Sequence, residues 1–312
     1  MQDGKAPDRP IKLRLDVPTS LDGHSLAKII SVATRCSRKS AGRAVKFGAV
    51  RLDGEVSLRP QEPVKAGVLL TVDYVPGMDS PWTPEIIFED EQMLVLNKPG
   101  GVPVYSTRAG GGNSVEQVLA GIASNRWQPR LVHRLDLPVS GLLIVAKTRE
   151  AARQLSTAFR QDQIEKTYLA VVHTAQELPE VPITVDAPLL WLAGKQRAMV
   201  APDGRPSKTV ITAARELPEG KALVSIKLLT GRTHQARCHL AHLGFPVAAD
   251  KGYGSSITHP TPQIALHAAR LTLSVPVMGI AQSWTQIPPA EFWGCAGLPD
   301  TPDLAKRLLA SD

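Results

Sequence analysis

The chain reads as an α+β protein whose main domain is built on a largely antiparallel sheet with flanking helices. Three observations predict this: apolar runs of strand length recur along the chain, few segments carry helical periodicity, and turn residues separate neighbouring runs. Strands are expected at residues 86–88, 93–96, 142–146, 168–172, 208–213 and 222–229. The run 142–146 is uniformly apolar, as in a strand buried on both faces. Helices are expected over 114–123, 150–160 and 233–243, the last with Thr233 as N-cap and Gly244 as the C′ residue. Pro202-Asp203-Gly204-Arg205-Pro206 reads as a turn between two strands of the same sheet.

A seam precedes this domain. From Val75 to Pro84, proline and glycine interrupt both periodicities, which places a linker at 76–84 between a domain at 13–75 and a larger one at 85–300. Residues 1–12 mix charges with Gly and Pro, carry no apolar core and are expected to be a disordered tail, neither signal peptide nor membrane segment. Residues 301–312 are expected to form a carboxy-terminal tail. Within the first domain, short helices precede a compact hairpin whose turn is Asp53-Gly54. Its second helix, with Ser37 as N-cap, is strongly basic: Arg35, Arg38, Lys39, Arg43, Lys46 and Arg51 follow one another with no acid among them. Lys39, Arg43 and Lys46 fall near one helix face, where they could meet successive phosphates.

Composition narrows the classes. A chain of 312 residues with 43% apolar content is long enough for two domains with sizeable cores. A net charge of +7 and a pI near 9.4 favour a polyanionic partner. Cys36, Cys238 and Cys295 are few, odd in number and far apart, which argues for reduced thiols in the cytoplasm and against a disulfide framework. No apolar run reaches the roughly 18 residues needed to span a bilayer. Nothing demands a partner subunit, so a monomer is expected.

The chemistry concentrates in His133-Arg134-Leu135-Asp136-Leu137-Pro138-Val139-Ser140-Gly141-Leu142, where a carboxylate and a guanidinium share a loop that enters the apolar strand. A carboxylate at the edge of a core needs a cationic partner, so Asp136 is either half of a structural ion pair or a functional acid. The helix containing His234, Cys238, His239 and His242 invites a metal reading. His234 and Cys238 fall on a different face from His239 and His242, and no second ligand group stands nearby, so no metal is expected.

Further stretches extend the pattern: Asn97-Lys98-Pro99-Gly100-Gly101-Val102-Pro103-Val104, Lys166-Thr167-Tyr168-Leu169-Ala170-Val171-Val172, Gly231-Arg232-Thr233-His234-Gln235-Ala236-Arg237-Cys238-His239-Leu240, Gly244-Phe245-Pro246 and Asp250-Lys251-Gly252-Tyr253-Gly254. In this order, and together with the Asp136 segment, they resemble RluA-type pseudouridine synthases, which modify uridines in ribosomal and transfer RNA. The likeness spans about residues 86 to 275. Departures are Val139 where Thr is usual before Ser-Gly, Ala236 for a larger aliphatic residue, and Ala249 where Gly is common.

The resemblance implies a mixed sheet with a central cleft and a cofactor-free isomerisation of uridine to its C-glycoside. Asp136 would act at C1′, either by direct attack or by removing a sugar proton to open a glycal route. Tyr168 would stack on the detached base and handle the C5 proton, and Arg237 would keep Asp136 ionised and aimed. Arg134 would fill the gap left by an everted nucleotide. His133 is placed as a loop-orienting group, Lys98 as a contact to backbone phosphates, and Arg232 and His234 with the RNA-binding residues, His234 as a support for its loop. Residues 37–54 resemble part of an S4-type RNA-binding domain, although Gly67-Val68 replaces a usual Gly-Asp. The expected function is that of an RNA pseudouridine synthase, ribosomal RNA favoured over transfer RNA. The competing readings are a non-catalytic S4-type RNA-binding protein and an N-glycosidase.

Overall fold

The computed structural model describes residues 11–46, 49–57, 59–74, 82–105, 114–123, 126–174, 178–257, 259, 262–274, 279 and 281–310. The expected tail up to residue 10 and most of the expected linker lie outside them. The chain divides into two compact units, Met1–Trp82 with Tyr105–Val118, and Thr83–Val104 with Leu119–Asp312.

The first unit contains β1 (Ile11–Asp16), β2 (His24–Ser25), α1 (Leu26–Thr34), α2 (Arg38–Lys46), β3 (Val50–Leu52), β4 (Glu55–Val56), β5 (Pro63–Val64) and β6 (Leu69–Tyr74). Its four-stranded sheet runs β1-β6-β3-β4, and β2 pairs with β5. β1 pairs with β6 along its whole length, starting at Ile11↔Tyr74, so Ile11 and Lys12 belong to the sheet and not to a tail. Asp53 and Gly54 both have positive φ, 49° and 87°, as a two-residue hairpin turn of the right twist requires. The Ser37 Oγ accepts the Ser40 N–H at 3.0 Å and caps α2. Leu26, Ile29, Ile30, Ala44, Val45 and Leu70 form the core.

The remaining elements are β7 (Glu85–Glu89), β8 (Met93–Lys98), α3 (Val115–Ala123), β9 (Arg130–Leu131), β10 (Ser140–Ala146), α4 (Arg149–Arg160), β11 (Ile164–His173), β12 (Ile183–Asp186), β13 (Leu189–Leu192), β14 (Arg197–Val200), β15 (Lys208–Leu217), β16 (Lys221–Leu228), α5 (Gln235–His242), β17 (Leu266–Leu273), β18 (Ser283–Thr285), α6 (Ala290–Cys295) and α7 (Pro302–Ala310). A mixed sheet runs β12-β15-β16-β11-β17-β10-β8-β7, with β9 paired to β10 and β18 to β17 off this path. All its pairings are antiparallel except β10 with β17, which run parallel through Ser140↔His267 and Gly141↔Ala268. Every residue of β10 is buried. Met93, Val95, Leu142, Ile144 and Ala146 turn to one face, where Ala151, Leu155 and Ala158 of α4 cover them.

Three sequence expectations change. Pro202–Pro206 does not link two strands of one sheet: it joins the separate β13–β14 hairpin to β15 of the main sheet. The expected tail 301–312 contains α7, whose Ala305, Leu308 and Leu309 are buried. Helix α5 begins at Gln235, and its N-cap is His234 at φ 59°, not Thr233. Its other end is as read. The Gly244 N–H reaches Ala241 O at 3.0 Å and the Phe245 N–H reaches Leu240 O at 2.9 Å, with Gly244 at φ 85°.

Candidate active site

The loop between β9 and β10 is fixed at successive carbonyls. The Val139 N–H closes a turn on Asp136 O at 3.1 Å, the Gly101 N–H meets Leu137 O at 2.8 Å, and the Ile264 N–H meets Pro138 O at 3.2 Å. Gly141, at φ 114°, lets β10 lie against β17: an added Cβ would stand 2.3 Å from Ala268 O. Ser140 donates to Nδ1 of the buried His267 at 2.8 Å, whose Nε2–H is held by Gln286 O at 3.1 Å. Upstream, His133 Nε2 accepts the Ile144 N–H at 2.8 Å, and its ring stacks on Phe159 at 4.3 Å. Burial, and then the nearby Lys166 charge, push the His133 pKa down to about 3, so the ring works as a neutral acceptor.

Asp136, its side chain 15% exposed, stands at the tip of this loop. Arg237 Nη1 on α5 reaches its Oδ2 at 3.3 Å, while Arg237 Nε and Nη2 grip Asp250 at 2.6 and 2.9 Å. Burial works against the Arg237 charge, but the Asp250 carboxylate and then Asp136 outweigh it, and the guanidinium pKa is raised. The second contact to Oδ2 is His234 Nε2 at 3.7 Å. Tyr253 holds the ring: its Oη accepts the Ala198 N–H at 2.7 Å and shares a hydrogen bond with His234 Nδ1 at 3.0 Å. In the tautomer where the phenol gives its proton to Nδ1, Nε2 carries the imidazole hydrogen and turns it toward Asp136. Burial lowers the His234 pKa, with Asp136 opposing, which favours this neutral form. Both contacts converge on Oδ2, and Oδ1 has no hydrogen-bond partner among the described residues.

The family model described as RNA pseudouridylate synthase matches residues 92–242. Ribosomal large subunit pseudouridine synthase D of Pseudomonas aeruginosa is 30% identical over 306 residues, covering 90% of this chain and 94% of the relative. The chain belongs to the RluA-type family of RNA pseudouridine synthases. Dual-specificity RNA pseudouridine synthase RluA of Escherichia coli K12 is 32% identical over 217 residues, covering 68% of this chain and 95% of that one. Among solved structures, human RNA pseudouridylate synthase domain containing 1 superposes with a TM-score of 0.59 at 24% identity, covering 76% of this chain and 98% of that one, a likeness of fold.

Within this pseudouridine synthase, Asp136, Arg237 and His234 come together, and Tyr168 on β11 feels the Asp136 charge. Burial, and then that charge, raise the Tyr168 pKa, which favours the protonated phenol. Arg134 is exposed, with no hydrogen bond among the described residues. Arg232 is tied through Nε to Pro206 O at 3.0 Å and makes no described contact to Asp136. Lys98 does not meet phosphates. It is fully buried, and its Nζ donates to the carbonyls of Pro99, Val102 and Leu137 at 2.8, 2.9 and 3.4 Å, bracing the residue that follows Asp136. Burial lowers its pKa to about 7 against the pull of Asp136. His133 likewise supports backbone and not RNA. Lys39 is exposed on α2, Arg43 half-buried there, and the Lys46 side chain lies outside the described residues. On α5, His239 uses both ring nitrogens on Thr209 Oγ1 and Ala187 O at 2.8 and 2.9 Å.

Sequence reading missed Asp250 and Tyr253 as working residues, although both stand in the Asp-Lys-Gly-Tyr-Gly segment. A buried acid thirteen positions beyond the arginine was the available signal. Ala249 adopts φ 65° where Gly is common, which aims the next residue, Asp250, at Arg237.

Proposed function

We propose that the protein isomerises specific uridines in structured RNA, ribosomal RNA before transfer RNA, by everting the nucleotide and using Asp136 to break and remake its glycosidic bond. The observation that carries this is the Asp136 carboxylate: one oxygen is fixed by Arg237 and His234, and the other is left for a substrate. Oδ1 would meet the sugar, attacking C1′ or removing a sugar proton, while N1 departs. Re-addition through C5 forms the C–C bond and frees the carboxylate. The C5 proton then leaves to a base at the site, Tyr168 or Asp136, which is a carboxylate again at this stage. Tyr168 serves as a stacking surface for the uncoupled base. Arg134, exposed on the loop just ahead of Asp136, is the side chain to occupy the vacated space.

One further reading supports an RNA substrate. The first unit carries the basic helix α2, which has no acid in its first turn, and we read this unit as an S4-like module that adds phosphate contacts. We also read the protein as a cytoplasmic monomer; among the described residues no helix is long and apolar enough to cross a membrane.

RNA labelled with tritium at uridine C5 tests the reaction. The wild-type protein is expected to release label to water, and Asp136→Asn to release it at least roughly 10²–10⁴-fold more slowly. Strong RNA binding without release from any natural RNA pool would favour a non-catalytic binding protein. Free uracil on chromatography would reveal an N-glycosidase instead.

A further inference from the structure

We infer that Trp191 is a stacking platform for an unpaired base of the RNA, next to the everted uridine; this rests on the reading that the Asp136 site takes RNA. Trp191 lies on β13, in register with Ala198 of β14. On the same face of this hairpin, Leu189 and Ala198 pack with Cys238 of α5 and with Tyr253. Trp191, two residues beyond Leu189, overhangs the start of that helix. Its indole meets the His234 ring edge-on at 5.1 Å and remains 40% exposed. A single imidazole therefore separates a half-open indole from the Asp136 carboxylate, since His234 Nε2 is 3.7 Å from Oδ2.

Isolated exposed apolar side chains are ordinary. Trp191 differs because the ring contact it makes is to a residue that touches the catalytic acid. Charge indicates the occupant. The hairpin from Leu189 to Val200 contains no acid, and both its cations, Lys195 and Arg197, are exposed. Arg197 also lies over the Tyr253 ring at 5.0 Å, which fixes the hairpin beside the site. An aromatic face flanked by cations suits a nucleobase with its phosphates. Everting one nucleotide strips its neighbour of a stacking partner, and an indole beside the site can replace it.

The test uses a fluorescein-labelled hairpin RNA with an all-uridine loop. Trp191→Ala should weaken binding roughly tenfold, within the range seen for losing one base–aromatic stack. Trp191→Phe should keep most of the affinity. Because stacking displaces no counterions, the salt dependence of binding should stay as in wild type, unlike the loss of a cation. Removing the stacked base, by an abasic nucleotide at each loop position in turn, should weaken the wild type at one position and leave Trp191→Ala unmoved there. Affinity of Trp191→Ala within twofold of wild type, or equal abasic penalties in both proteins, would overturn the inference. Tritium release from total cellular RNA by the wild type is read separately. A protein that releases label yet binds equally well without the indole loses the platform and keeps the catalytic reading.

Discussion

At the scale of single residues, the setting of Asp136 depends on hydrogens that have little freedom. Arg237 cannot rotate toward solvent without abandoning two bonds to Asp250, and His234 is held in place by its hydrogen bond to Tyr253. Tyr253→Phe removes the hydroxyl that bonds His234 and leaves the buried Ala198 N–H without its acceptor. The expected cost is about 1–3 kcal/mol of stability from the unsatisfied donor. Turnover is expected to fall roughly tenfold, equivalent to about 1.4 kcal/mol in the barrier, with little change in KM. Single-turnover tritium release and denaturant unfolding measure the two effects, and an unchanged turnover would detach His234 from the chemistry. Asp136 was legible in the sequence as a charge at a core edge that demands a countercharge, and the family resemblance named Arg237 as the partner. Lys98 was not. A lysine ending an apolar strand reads as exposed, and only the folded loop supplies the three carbonyls that make its burial tolerable.

At the scale of elements, the loop holds its shape because β10 enters the sheet at a place where no side chain fits. Gly141 combines a positive φ with backbone contact to Ala268, so Gly141→Ala has both a conformational and a steric cost. All three clashing atoms are backbone atoms of Ala268 and none is a movable side-chain end, so a loss of about 4 kcal/mol or more is expected. Thermal unfolding would show it, and a variant as stable as wild type would mean that β10 and β17 can separate freely. The strands were readable because β8 and β10 are continuous apolar runs bounded by turns. Three other features escaped for one shared reason, that their form depends on distant partners. The start of α5 is set by His234 reaching Tyr253, not by a capping side chain, since the His234 side chain makes no cap bond. Turn propensity marked Pro202–Pro206 but carries no information about which sheets it connects. Helix α7 is nine residues, too short to declare itself without the strands β15 and β16 that it packs on.

At the scale of the whole molecule, a charge of +7 becomes informative through where the cations fall. Helix α2 contributes Arg38, Lys39 and Arg43 with no acid in its first turn, on a unit whose core of Ile29, Ile30, Val45 and Leu70 is its own. Such a helix adds affinity through counterion release, a term that carries no sequence information and no chemistry. The double variant Lys39→Ala with Arg43→Ala should therefore bind RNA more weakly, and the slope of log affinity against log salt should flatten by about 2, one for each phosphate that no longer meets a cation. Its single-turnover rate on saturating RNA should match wild type, because counterion release adds affinity without entering the chemistry. Titrations at several salt concentrations, paired with tritium release at saturation, separate the two quantities. An unchanged slope removes α2 from the RNA-binding surface, whereas a slower reaction on saturated RNA would make this unit a participant in placing the uridine and not only a source of affinity.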